Sequence, residues 1–372
     1  MNIKCKKLVK AFLFIILSYS GIEAGQRDID FHTHPLVDMS QAERDFARAR
    51  IIEITREGSR AKEGLVKVMI ISGEFKTEIA HAKYFSSGVQ YSELKKNTNV
   101  LVSYKKDISG PKEIFIEDFD RTGKLAILIL IFIVLVLIVG GKRSLYPLIA
   151  LFGGILIIKL ILIPTIITGG APLIYTFITV TAVVGLAMLA IYGKSEEAII
   201  GFSGSMGGVI GVVLLGLIFY DFSNITGVYM EEIQLMEYVG AQNHFQTVTF
   251  YRDFLISILV LASAGVIMDA AISITSSIKE ALNQGVKDPQ KISLVGKSVK
   301  EDIIVTMVNT LVVAFLGASL GQLLIQRLHI GNFWQLINSE FFHVQFYYVF
   351  IGTLGFLISA QITEKFASWF LK

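Results

Sequence analysis

From residue 125 onward the chain is built of long apolar runs separated by short polar breaks. The runs are Leu125–Gly141, Leu145–Ile163, Pro172–Tyr192, Ala198–Phe219, Phe254–Ile278, Ile303–Ile325 and Phe346–Ile362. A bilayer core of ~30 Å needs about 20 apolar residues in an α-helix, so each run is long enough, or nearly so, to cross it. The pattern before them has a different period. Val66, Val68 and Ile70 alternate with Lys67 and Met69, and Ala47–Ile54, Phe75–Ala80, Val100–Tyr104 and Glu113–Phe119 also read as short strands. Turn residues separate these strands, among them Ser72-Gly73 and Ser109-Gly110-Pro111. The expected fold is a membrane α-helical bundle of about seven transmembrane helices, with a small N-terminal β-barrel-like domain over residues 47–121.

Charge along the chain orients this architecture. Lys4, Lys6, Lys7 and Lys10 precede the short apolar run Ala11–Leu17, which marks 1–24 as a signal peptide or signal anchor and 25–46 as a linker. If the chain enters its first span from outside, the inner segments carry Lys142, Arg143, Lys194, Lys279, Lys287, Lys291, Lys297, Lys300, Lys365 and Lys372. The outer connections then carry only Arg252 and Arg327. That asymmetry predicts a multipass protein of the cytoplasmic membrane. It makes the β domain extracytoplasmic, the C-terminus cytoplasmic, and 279–300 a basic cytoplasmic loop.

Composition narrows the function classes. Hydrophobic residues make up 53% of the 372 residues, and mean hydropathy is +0.61. The net charge of +3 sits mainly in the loops, so it reports orientation and gives no reason to expect nucleic acid. Cys5 is the only cysteine, which excludes internal disulfides and Cys-based metal clusters. His32-Thr33-His34 could begin a metal site, but no histidine–carboxylate cluster follows it and no metal is expected. Gly201-Phe202-Ser203-Gly204 matches a string used by intramembrane serine proteases. Its candidate bases His329 and His343 fall at the opposite ends of their spans, so no dyad forms. Gly193-Lys194-Ser195 and Gly296-Lys297-Ser298 lack the earlier glycine of a phosphate loop. The expectation is therefore no catalytic residue, no cofactor and no enzyme activity.

The remaining chemistry lies inside the spans. Gly204/Gly208 and Gly207/Gly211 are each spaced by four, as are Gly317 and Gly321. Such spacing lets helices approach closely in lipid, so these six glycines are read as packing positions. Asp269 is the one carboxylate deep within a run, and a charge there costs several kcal/mol unless it is neutralised, paired or hydrated. Ala262, Gly265, Ser273 and Ser276 share its helical face, which is expected to meet other helices. Counted from the same membrane face, Ser205, Thr306 and Asn309 lie at a similar depth. Asp269, Asn309, Ser205, Ser273 and Thr306 thus form a candidate polar layer. Lys159, with Glu231 or Glu232, is a candidate charge group on the other side.

Four strings resemble the YibE/F-like family of multipass membrane proteins: Lys159–Pro172 (KLILIPTIITGGAP), Gly193–Gly211, Gly227–Glu232 (GVYMEE) and Gly265–Glu280 (GVIMDAAISITSSIKE). With the β domain, the resemblance extends over nearly all of the chain after the signal. It implies fold and membrane location, and it supplies no reaction, substrate or catalytic residue. Two functions follow as expectations. One is a permease or export component moving a small solute or ion past Asp269. The other is a non-transporting assembly or signalling subunit whose β domain binds an extracytoplasmic protein. The lipid bilayer is the one certain partner, and the pattern leaves the oligomeric state open.

Overall fold

The computed structural model describes residues 44–55, 63–85, 94–107, 110–227, 248–286, 288–329 and 332–370. The expected signal segment 1–24, most of the linker 25–46, and Glu231 and Glu232 lie outside the described residues.

Five strands close into a barrel: β1 (Arg44–Thr55), β2 (Glu63–Ile70), β3 (Ile79–Phe85), β4 (Asn99–Asp107) and β5 (Gly110–Phe119), in the order β1-β2-β3-β5-β4. Neighbours are antiparallel except for the parallel pair β3–β5. Period-2 alternation dictates what fills it. Ala47, Ala49 and Ile51 of β1 point inward, as do Val66, Val68 and Ile70 of β2 and Val100, Val102 and Tyr104 of β4. Burying each large aliphatic side chain contributes roughly 1.5–3 kcal/mol. A register shift between Ile51 and Glu53 bends β1 and helps the small sheet to close.

One strand differs from expectation. Phe75–Ala80 was expected to be extended, yet residues 72–77 form a turn and β3 begins at Ile79. Thr77 adopts φ 77°, which interrupts any extended run. Phe75 instead packs edge-on to Tyr104, with ring centroids 5.5 Å apart.

Among the described residues, seven helices are long and apolar enough to cross a membrane. They are α1 (Thr122–Gly140), α2 (Leu145–Ile167), α3 (Pro172–Tyr192), α4 (Glu196–Phe222), α5 (Val248–Asn283), α6 (Pro289–Ala318) and α9 (Glu340–Phe370). The shorter α7 (Leu320–His329) and α8 (Phe333–Ile337) lie between the last two spans. The stretch 279–300, expected as a solvated loop, is mostly helix. Helix α5 continues to Asn283, and α6 starts at Pro289, where Asp288 caps it by accepting from the Gln290 N–H at 3.0 Å.

The core of the bundle is the trio α4, α5 and α9. Gly208 shows why these helices approach so closely. A Cβ placed there would lie 2.7 Å from the Gly355 carbonyl oxygen, 2.7 Å from Ser359 Cβ and 2.8 Å from Ile267 Cγ2. Gly204, Gly207 and Gly211 face Thr363, Ile362 and Ile358 of α9 in the same way. Gly317 and Gly321, grouped with them from spacing, have no neighbour within 4 Å of an added Cβ, so they pack against nothing in the described chain. Helix α1 has no buried residue. Helix α2 carries a π-helical turn at Ile158–Leu162, directly before Pro164. Proline lacks an N–H and displaces the carbonyl one turn back, so an expanded turn relieves the clash. The Thr165 hydroxyl donates to the Ile161 carbonyl at 2.6 Å, and Thr168 to that of Pro164 at 3.1 Å, which satisfies acceptors near the break.

Candidate functional site

Helix α5 has two unlike faces. Ser263, Ile267, Ala270, Ala271, Ile274 and Ile278 are buried. Ala262, Gly265, Asp269, Ser273 and Ser276, recurring every three or four residues, are all exposed. From Ala262 to Ser273 the small polar stripe therefore lies open on the surface of the chain, and of its members Ser276 meets another helix. Nothing lies within 4 Å of an added Cβ at Gly265. Among the described residues, Asp269 makes no hydrogen bond or ion pair.

Helix α3 borders one end of the stripe. The Tyr192 hydroxyl is 2.7 Å from Ser276 Oγ and donates to the Ile272 carbonyl at 2.9 Å. Near it, Lys279 pairs with Glu197 of α4 at 2.9 Å and lies 6.0 Å from the Tyr192 ring centroid. This end of α5 is thus tied to both α3 and α4 by polar side chains, while the Asp269 side chain makes no such link.

The expected polar layer divides. Ser205 is fully buried, and its hydroxyl donates to the Gly201 carbonyl at 2.8 Å within its own helix. It is a satisfied packing residue between helices. Thr306 and Asn309 are exposed on α6, and Thr306 donates to the Ile303 carbonyl at 3.0 Å. Asp269 and Ser273 are exposed on α5. No hydrogen bond joins Asp269 to Thr306 or Asn309 among the described residues. Lys159 is exposed within the π-helical turn of α2, and its expected partners Glu231 and Glu232 lie outside the described residues.

Two polar features escaped the sequence reading. Lys300 of α6 pairs with Glu364 of α9 and also donates to Gln361 Oε1 at 2.9 Å, with only 14% and 11% of the ion pair's side chains exposed. The available signal was the run Phe356, Ala360, Thr363, Glu364 and Ala367, which continues the buried face of α9 past its apolar stretch. The second feature is a set of buried hydroxyls at Thr176, Thr179 and Thr275 with no hydrogen-bond partner among the described residues. No group of three or more His, Cys, Asp or Glu capable of holding a metal occurs among the described residues.

The glycine-packed trio and the open Asp269 face are parts of a membrane unit with recognisable relatives. A family model described as YibE/F-like protein matches residues 128–372. The chain belongs to the YibE/F-like family. The match covers the helical bundle and leaves the barrel outside, so the barrel is not part of what defines the likeness. No curated protein and no solved structure matches the chain.

Proposed function

We propose that this YibE/F-like protein is a component of a permease or exporter in the cytoplasmic membrane, moving a small solute or ion along the open Asp269 face. What carries this reading is Asp269 itself: an unpartnered carboxylate, exposed on the side of a membrane-spanning helix, among small and hydroxyl residues. Bare contact between such a group and lipid is expensive, whereas water or a cation beside it makes the position tolerable. Gly265 and Ala262 keep the face shallow enough for a passing solute. The trio behind it is closed by glycine contacts, which gives the moving species a rigid wall. In this reading the barrel lies on the extracytoplasmic side and the chain is no enzyme.

A second reading is an assembly or signalling subunit, with the barrel engaging an external protein. The unburied α1 favours it, because such a helix is available to a partner. Flux measurement in proteoliposomes separates the two. The transport reading predicts ion or solute flux from the purified chain or its native complex, abolished by Asp269→Asn. Undiminished flux in the variant removes Asp269 from the path. No flux of any tested species in either protein favours the assembly reading.

A further inference from the structure

The connection between α3 and α4 is only three residues long, Gly193–Ser195, and joins two spans, so it sits at a membrane surface. Gly193 adopts φ 70°, a conformation that lets the chain turn within this short link. Beside it lies an open groove of about 700 Å³. Its walls are mainly apolar. Gly185 on α3 and Ala198 and Phe202 on α4 line it, as do Leu189 and Ile199, 55% and 58% exposed. Gly185 and Phe202 leave the space open: a Cβ at 185 would only just touch the Phe202 ring, at 3.7 Å.

The charged groups at this groove are one cation and one anion. Lys194 and Glu196 both line it and are exposed, and neither has an ion pair or hydrogen bond among the described residues. Neighbouring Glu197 is already engaged by Lys279. The Ser195 side chain does not cap α4, whose first turn carries the carboxylates Glu196 and Glu197.

We infer that this cleft binds a zwitterionic aminophospholipid. An acyl chain occupies the apolar groove, the phosphate meets Lys194, and the primary ammonium meets Glu196. The free Glu196 carboxylate disfavours a purely anionic headgroup, and its hydrogen-bonding demand favours a primary over a quaternary ammonium. The site contains no member of the Asp269 stripe, so it stands or falls independently of transport.

The test uses the full-length chain, purified and delipidated in detergent, with lipid retention followed by native mass spectrometry. Dioleoyl phosphatidylethanolamine should be retained in preference to the matching phosphatidylcholine and phosphatidylglycerol. Lys194→Ala and Glu196→Gln, both at exposed positions, should each weaken it about tenfold, the effect of losing one charge-assisted hydrogen bond. Gly185→Leu should exclude the acyl chain with the charges intact, and Asp269→Asn should leave retention unchanged. Equal or better retention of phosphatidylglycerol or phosphatidylcholine overturns the inference. So does indifference to Lys194→Ala and Glu196→Gln, or competition by glycerophosphoethanolamine as effective as by the whole lipid.

Discussion

Gly208→Ala is the smallest change that should loosen the bundle. The added methyl meets the Gly355 carbonyl oxygen at 2.7 Å, Ser359 Cβ at 2.7 Å and Ile267 Cγ2 at 2.8 Å. Comfortable contact is roughly 3.5–4.0 Å, so about 1 Å of separation is needed on each side. The three obstacles belong to two helices, and one is backbone, so no single rotamer change relieves them. Ser359 also donates to the Ile267 carbonyl at 3.2 Å, a link between α9 and α5 that the same displacement strains. Overpacking of this kind costs roughly 1–3 kcal/mol, offset by up to about 1 kcal/mol from the better helix propensity of alanine. The net expectation is a loss of about 1–2 kcal/mol. Gly317→Ala is the matched control, because no atom lies within 4 Å of its added Cβ. Thermal unfolding of the purified protein in detergent, followed by the fluorescence of Trp334 and Trp369, should show an apparent midpoint several degrees lower for Gly208→Ala. The midpoint for Gly317→Ala should be unchanged or raised. If the two variants move together, or Gly208→Ala is as stable as the parent, the glycine-contact argument is refuted.

Two further outcomes test the polar parts of the structure. Lys300→Met should destabilise by about 3 kcal/mol, because it strands the Glu364 carboxylate in a largely buried position; adding Glu364→Gln should restore much of the loss, and a purely additive double variant would contradict the pairing. In the barrel, the Arg121 guanidinium and then the Phe119 N–H hold the Asp118 carboxyl below its usual range. A depressed folded-state pKa contributes stability above the unfolded value of about 3.9, lost as pH falls through the folded value, so amide protection around Phe119 should decline in acid and Asp118→Asn should remove that dependence.

The spans and the barrel were legible because each rests on a periodicity that survives in one dimension. Val66, Val68 and Ile70 had to share a face, and the run Ala198–Phe219 had to be a helix in lipid. The α4 glycines were also legible, since spacing by four puts Gly204 and Gly208 on one side. Spacing alone does not say whether a partner is present. Gly317 and Gly321 carry the same signature and meet nothing in the described chain. The Asp269 stripe was visible as a stripe, but which way it faced depended on where α4 and α9 packed. Ile267 on the opposite face took the core position, leaving Asp269 exposed. Depth counting likewise grouped Ser205 with Asp269, although rotation about the α4 axis buries Ser205. Lys300 looked like a loop cation because its apolar run begins three residues later; the helix begins eleven residues earlier, at Pro289, and brings it to Glu364.

The central claim is that the Asp269 face is wetted within the membrane. Because Cys5 is the only cysteine, Cys5→Ser provides a clean background for thiol accessibility in native membranes. Gly265→Cys, Asp269→Cys and Ser273→Cys should react with a membrane-impermeant methanethiosulfonate reagent. Ile210→Cys on the exposed apolar side of α4 and Ile267→Cys in the core should not. Stripe thiols as inert as those at Ile210 and Ile267 would contradict the account.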